Sequence, residues 1–216
     1  WFKWALMSES EDKAKILSAM GGVKGLIDSG LPALLFLIAF NITKDVRDSA
    51  YAALALSLLL TLVRLVKRET IQHAVSGVIG VGICAWLSMR TGKAEDFYLP
   101  GLWTNAIYGS AYLVSILLRW PVIGLIIGPL LEENFRWRKD PARTKVYIKA
   151  TWLWVGMFAI RLVVQYPLYV SGNVNLLGTA RLVMGYPLFI ATAWATWLVI
   201  KSGPKLRDDL RIDKAS

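Results

Sequence analysis

The sequence predicts an all-α, polytopic membrane protein of about six transmembrane helices with both ends cytoplasmic. Three observations predict it. Of 216 residues 56% are hydrophobic, and they gather into nearly uncharged blocks of about 18–22 residues, enough to cross a hydrocarbon layer of roughly 30 Å. Tryptophan and tyrosine cluster at the block ends, where interfacial aromatics belong. The charge is also lopsided: if the N-terminus is inside, 19 of the 25 basic residues fall in the inner segments 1–24, 64–68, 119–149 and 201–214. That is the positive-inside pattern, and it makes a multi-pass protein of the bacterial plasma membrane the expected class.

The elements follow in order. Residues 1–21 form a cytoplasmic N-terminal segment; Met7 with SESEDKAK after it reads as a cytosolic start, and the six residues before it carry no assigned function. A single bundle occupies 22–200, and 201–216 is a charged cytoplasmic tail. The spans lie at about 23–43, 49–66, 71–89, 99–118, 150–170 and 176–200. The first holds Pro32, a kink site, and Asp28, either a proton or cation ligand or an ion partner for Lys24 at i−4. The second ends in the basic RLVKRE, suited to anionic headgroups. In the third, Ser76, Gly80 and Cys84 recur every four residues as a ridge for close helix approach. Its glycines are no nucleotide loop, since neither a preceding strand nor a phosphate-binding lysine accompanies them. His73 sits at headgroup level with no second ligand spaced to share a metal.

Before the fourth span, Glu95 and Asp96 form the main acidic pair of the outer side, and Asn105 and Tyr108 share a helical face inside it. That face either lines a cavity or makes an interhelical hydrogen bond. The run WPVIGLIIGPLL at 120–131 is too short to span and is expected to lie at the inner interface or re-enter, with Gly124 and Gly128 allowing close packing. The next stretch mixes bases with aromatics directly before a span. This points to anionic lipid headgroups held by Arg136, Arg138, Lys139, Arg143 and Lys145 rather than to nucleic acid. No zinc motif, nucleophile–base pair or dinucleotide loop is present, so no catalytic residue, metal or cofactor is expected. Cys84, the one cysteine, has no intrachain disulfide partner.

The last two spans carry a repeat, RLVVQYPLYV at 161–170 and RLVMGYPLFI at 181–190, with six of ten positions identical. Consecutive spans run antiparallel, so this has the form of an inverted repeat, which often places a site where its halves meet. Arg161 lies about 12 residues, or roughly 18 Å, beyond Lys149, and Arg181 about five residues, or roughly 8 Å, inside its helix. An arginine at mid-helix costs about 2.5–3.5 kcal/mol on insertion scales, so each needs an answering group. Candidate partners are Glu95, Asp96, Asp28 and the carbonyls freed near Pro167 and Pro187. Alternatively, Arg161 and Arg181 with Gln165, Tyr166 and Tyr186 form a site for a planar oxyanion. The structural and the ligand-binding answers both stand.

The segments GLPALLFLIAF, SGVIGVGICAWLSMRTGKAEDFYLPG, ATWLWVGMFAIRLVVQYPLY and ARLVMGYPLF together resemble a family of actinobacterial integral membrane proteins known only as a domain of unknown function. The likeness covers most of residues 20–200 and implies an architecture without a reaction. Block order and the early Leu-Pro motif are more loosely similar to the bacterial intracellular septation protein A family, linked to cell division and envelope integrity; this likeness does not reach the arginine repeat. The expected function is therefore a non-enzymatic envelope protein contacting anionic lipid and a membrane-protein partner or a second copy of itself. The alternatives are a small transporter or channel with an anion site at Arg161 and Arg181 and, more distantly, a membrane enzyme acting on a lipid.

Overall fold

Hydrocarbon offers the backbone no hydrogen-bond partners, so a spanning segment must satisfy its own, and each apolar block does so as helix. The computed structural model describes residues 22–66 and 71–207, apart from the side chains of 22–29, 64 and 71–76. Asp28 and His73 belong to that latter group, and the segments 1–21 and 208–216 lie outside the described residues. Among the described residues every regular element is helical: α1 Gly22–Thr43, α2 Val46–Val66, α3 Ile71–Thr91, α4 Leu99–Leu117, α5 Val122–Leu130, α6 Pro141–Val170, α7 Val174–Val183 and α8 Tyr186–Ser202. Short 3-10 turns at Ala94–Tyr98 and Arg136–Lys139 precede α4 and α6.

Local chemistry sets the ends. Lys44 takes a left-handed conformation after α1, and the Asp45 carboxylate then accepts the Arg47 and Asp48 amides at 2.7 and 3.0 Å, capping α2. Gly92, also left-handed, ends α3. Asp140 caps α6 by accepting the Ala142 and Arg143 amides, with Pro141 in the first turn, where its missing N–H is harmless.

The helices that are long and apolar enough to cross a membrane are Val46–Val63, Pro141–Val170 and Val174–Ser202, the last containing the α7–α8 junction. A fourth arises if α4 and α5, bent by 81°, count together; Gly30–Thr43 and Gly77–Thr91 are shorter apolar helices. All six sequence blocks thus fall on helices, while among the described residues length and composition support three or four spans. Only 11–22% of the residues in the three long windows are buried within the protein. Their outward faces carry Leu59, Leu62, Val163, Ile190 and Trp194, all more than half exposed. An apolar surface of that extent is what lipid covers.

The chain divides into two compact units. One comprises residues up to Pro100 with Gly172–Gly178, the other Gly101–Ser171 with residues from Thr179 on. In the first unit, Phe36 of α1 stacks on Phe97 with centroids 3.9 Å apart, and the Tyr98 hydroxyl donates to the Ala33 carbonyl at 3.3 Å. Ala50, Ala53 and Ser57 are buried on one face of α2, and Ala85 and Ser88 on α3. Small side chains let these backbones approach closely, and the Ser88 hydroxyl is satisfied by its own helix at the Ala85 carbonyl. Of the expected ridge of α3, the Ser76 side chain lies outside the described residues, Cys84 is half-buried, and Gly80 departs from the expectation: it is exposed, and a Cβ there would meet nothing within 4 Å. The packed face runs through Ala85 and Ser88 instead.

In the second unit α4 and α6 interlock through aromatic rings, Tyr108 on Phe158 and Tyr112 on Trp154, and Trp154 reaches Phe189 of α8. The Trp154 indole N–H donates to the Thr196 hydroxyl at 2.9 Å, which answers its polar edge inside the packing. Gly124 and Gly128 of α5 accept the ring of the fully buried Trp137: a Cβ on Gly124 would stand 2.8 Å from that ring, and one on Gly128 2.6 Å from the Asn134 carbonyl oxygen. Gly128→Val is expected to lower stability by about 1–3 kcal/mol through overpacking, whereas Gly80→Ala, pointing into open space, is neutral or slightly stabilising. Thermal unfolding of the two purified variants in detergent compares them directly.

Candidate functional site

The two copies of the arginine repeat fold differently. In the first, RLVVQYPLYV, α6 continues without interruption to Val170 and contains Pro167. In the second, RLVMGYPLFI, the helix stops at Val183 and restarts at Tyr186, with Met184 and Gly185 between. The copies differ at the residue before Tyr-Pro, which is Gln165 in the first and Gly185 in the second. Glycine carries the higher backbone entropy and the weaker helix propensity, and Pro187 two residues later supplies no amide hydrogen to the preceding turn. The break is therefore local to the copy with Gly-Tyr-Pro.

A guanidinium occupies this break. Arg161 donates through Nη2 to the carbonyl of Gly185, an oxygen that also receives the Phe189 amide at 3.3 Å. Its Nε is buried with no hydrogen-bond partner. Arg181 and Tyr186 lie within electrostatic reach of the same guanidinium. Arg181 packs its own guanidinium against Gly101 in the first turn of α4, where any Cβ would collide with Nη1 and Cζ. Arg161, Arg181 and Tyr186 are thus brought together. Gln165, one turn after Arg161, is 3% exposed, while Tyr166 points outward at 60% and stands apart from the cluster. Asn105 is buried; Tyr108 is half exposed and stacks on Phe158 at 6.0 Å. In the first unit Asp96 is buried within the 3-10 turn and Glu95 lies beside Gly172. No group of three or more His, Cys, Asp or Glu side chains among the described residues is arranged to hold a metal.

A second polar cluster lies at the basic end, where α6 begins. Arg143 grips Glu133 with two nitrogens, Nη2 to Oε1 at 2.7 Å and Nε to Oε2 at 3.0 Å, both side chains 4% exposed. The Tyr147 hydroxyl donates to the same Oε2 at 2.7 Å. Arg143 Nη1 donates to the carbonyls of Ile200 and Pro204 at 3.3 and 3.1 Å, so the clasp also holds the chain leaving α8. That chain crosses α6 closely: Gly203 abuts Val146, Leu206 is buried, and the Arg207 amide donates to Asp140 Oδ2 at 3.3 Å.

Arg143 is therefore not among the residues available to headgroups, because its charge is matched internally by a carboxylate in bidentate geometry. Arg138, Lys139 and Lys145 are exposed and Arg136 is half-buried. The sequence reading left Glu133, Tyr147, Gly185 and Gly101 without roles. Gly-Tyr-Pro was a legible break signal, and Asp-Pro at 140–141 a legible helix start; the carboxylate that Arg143 would choose was not, since it depends on how the loop before α6 folds back.

Residues 20–207 match the family described as a protein of unknown function, DUF3159. The chain belongs to that family. No curated protein and no solved structure matches it. The family range ends at Arg207, so it takes in the repeat, α5, the clasp and the stretch of chain that Arg143 and Asp140 hold.

Removing one partner of a buried ion pair strands the other. Arg143→Leu is expected to destabilise the protein by about 3–5 kcal/mol, and the double variant Glu133→Leu, Arg143→Leu to recover much of that loss. A double-mutant cycle by chemical denaturation in detergent measures the coupling; additive losses would show that the two side chains do not depend on each other.

Proposed function

We propose that this chain is a non-enzymatic, multi-pass protein of the bacterial plasma membrane, a structural component of the cell envelope acting through anionic lipid and membrane-protein contacts. The observation that carries this reading is the hydrogen bond from Arg161 to the Gly185 carbonyl. A scaffold needs its intramembrane cation to be answered from within the fold, and a main-chain carbonyl at a helix break does so. The looser likeness to septation proteins adds cell division as the setting in which to look for partners.

A second reading, an anion site in a transporter or channel, is favoured by one observation. Arg161 keeps a buried Nε without a hydrogen-bond partner, with Arg181 and Tyr186 in electrostatic reach. A carboxylate or phosphate oxygen would suit such a group.

Arg161→Leu and Arg161→Lys separate the two. Under the scaffold reading, Arg161→Leu loses monodisperse protein on extraction, and lysine, which can still donate to a carbonyl, restores much of it. Under the anion-site reading both variants fold, and proteoliposomes lose anion uptake. A well-folded leucine variant whose uptake equals that of the parent would remove the transport reading and leave the scaffold without its central contact.

A further inference from the structure

We propose that α5 and the start of α6 form a docking face for an anionic phospholipid leaflet, with α5 lying in the plane of the headgroups. The proposal rests on the membrane reading above, anionic lipid included, and adds the surface that meets it and how it lies.

The first argument is one-sidedness. α5 turns Ile123, Gly124 and Gly128 inward against Trp137, while Ile126, Leu130 and Leu131 remain 50%, 66% and 47% exposed. Such a division places the outer face in an apolar medium. α5 also leaves α4 at 81°, the angle that sets α5 along the leaflet surface when α4 crosses the leaflet.

The second argument is the position of the aromatics. Trp120 before α5 and Phe135 after it are 41% and 58% exposed, and their rings lie 6.4 Å apart. The Arg138 guanidinium sits 3.6 Å over the Trp120 ring. A cation on the face of an exposed indole joins an apolar surface to a charged one at a single point, the arrangement suited to the level between acyl chains and phosphates.

The third argument is charge. Glu133 is taken up by Arg143 and Tyr147, and Asp140 by the amides it caps. Both acids are buried, which leaves a single exposed acid, Glu132, against the exposed Arg138, Lys139 and Lys145, so the surface stays basic. An acidic protein or a nucleic acid would use those bases but not Ile126, Leu130 and Leu131; an anionic leaflet uses both.

The test takes the full chain in nanodiscs, with Cys84→Ala as background. Spin labels placed singly at Ile126 and Leu130 are read for accessibility to oxygen and to a water-soluble nickel chelate. The expected result is oxygen access with little nickel access, as for control labels at Val163 and Ile190. Lipid-exposed controls with Ile126 and Leu130 in water would overturn the docking face and leave the membrane reading standing; controls in water would overturn both. Alongside, native mass spectrometry compares retention of phosphatidylglycerol with phosphatidylcholine. Each base near an anionic surface is worth roughly a five-fold preference, so Arg138→Gln, Lys139→Gln, Lys145→Gln together should lower the phosphatidylglycerol preference on the order of 100-fold. Equal retention of the two lipids by the unsubstituted chain rejects the proposal, whether or not the triple variant folds.

Discussion

A guanidinium in apolar surroundings needs an acceptor, and here the entrance of a restarted helix supplies one. Placing an arginine in hydrocarbon leaves donors without acceptors; the Gly185 carbonyl, which already holds the Phe189 amide, has a second lone pair to offer. The bond from Arg161 to Gly185 joins the two, and it ties α6 to the entrance of α8. The two similar segments take complementary parts in this contact. Both present the same arginine and the same Tyr-Pro-Leu, and one supplies the cation while the other supplies the broken backbone. Arg181, the second cation, is accommodated by the missing side chain of Gly101.

The basic end follows the same rule with a different partner. Arg143 is buried, and it is met by a bidentate carboxylate, a phenol and two carbonyls. A buried ion pair is seldom a large net gain over apolar packing, so its consequence is mainly positional. It fixes the loop before α6, the first turns of α6 and the chain leaving α8 with respect to each other. Trp137, held in the notch of Gly124 and Gly128, then orients α5 on that base. Burial sorts the bases: one is consumed internally, and its neighbours stay at the surface.

Much of this was legible in the residues. The helical class follows from long uncharged blocks, because hydrocarbon permits few alternatives. The corner at α5 was legible in a run too short to span, and the caps of α2 and α6 in Asp45 and in Asp140 before proline. Close packing at Gly124 and Gly128 was legible as well, though what fills the notch is an indole rather than another helix. The ridge through Gly80 misled because small residues at spacing four mark any face that is slim, and only packing decides which face is used; Ala85 and Ser88 were equally slim.

By itself the sequence determined that α6 must bring a permanent charge into apolar surroundings and that something polar has to meet it, since arginine cannot shed its proton. It also determined the lopsided placement of the bases and the likeness of the two arginine segments. Only the tertiary structure decided which group answers or makes room for each of these charges. Gly185, Glu133 and Gly101 lie 24, 10 and 80 positions from the arginines they meet, and such partners are chosen by where chain segments come to rest rather than by any pattern along them. Sequence periodicity describes one helix at a time, whereas the satisfaction of a buried charge is a property of several segments together.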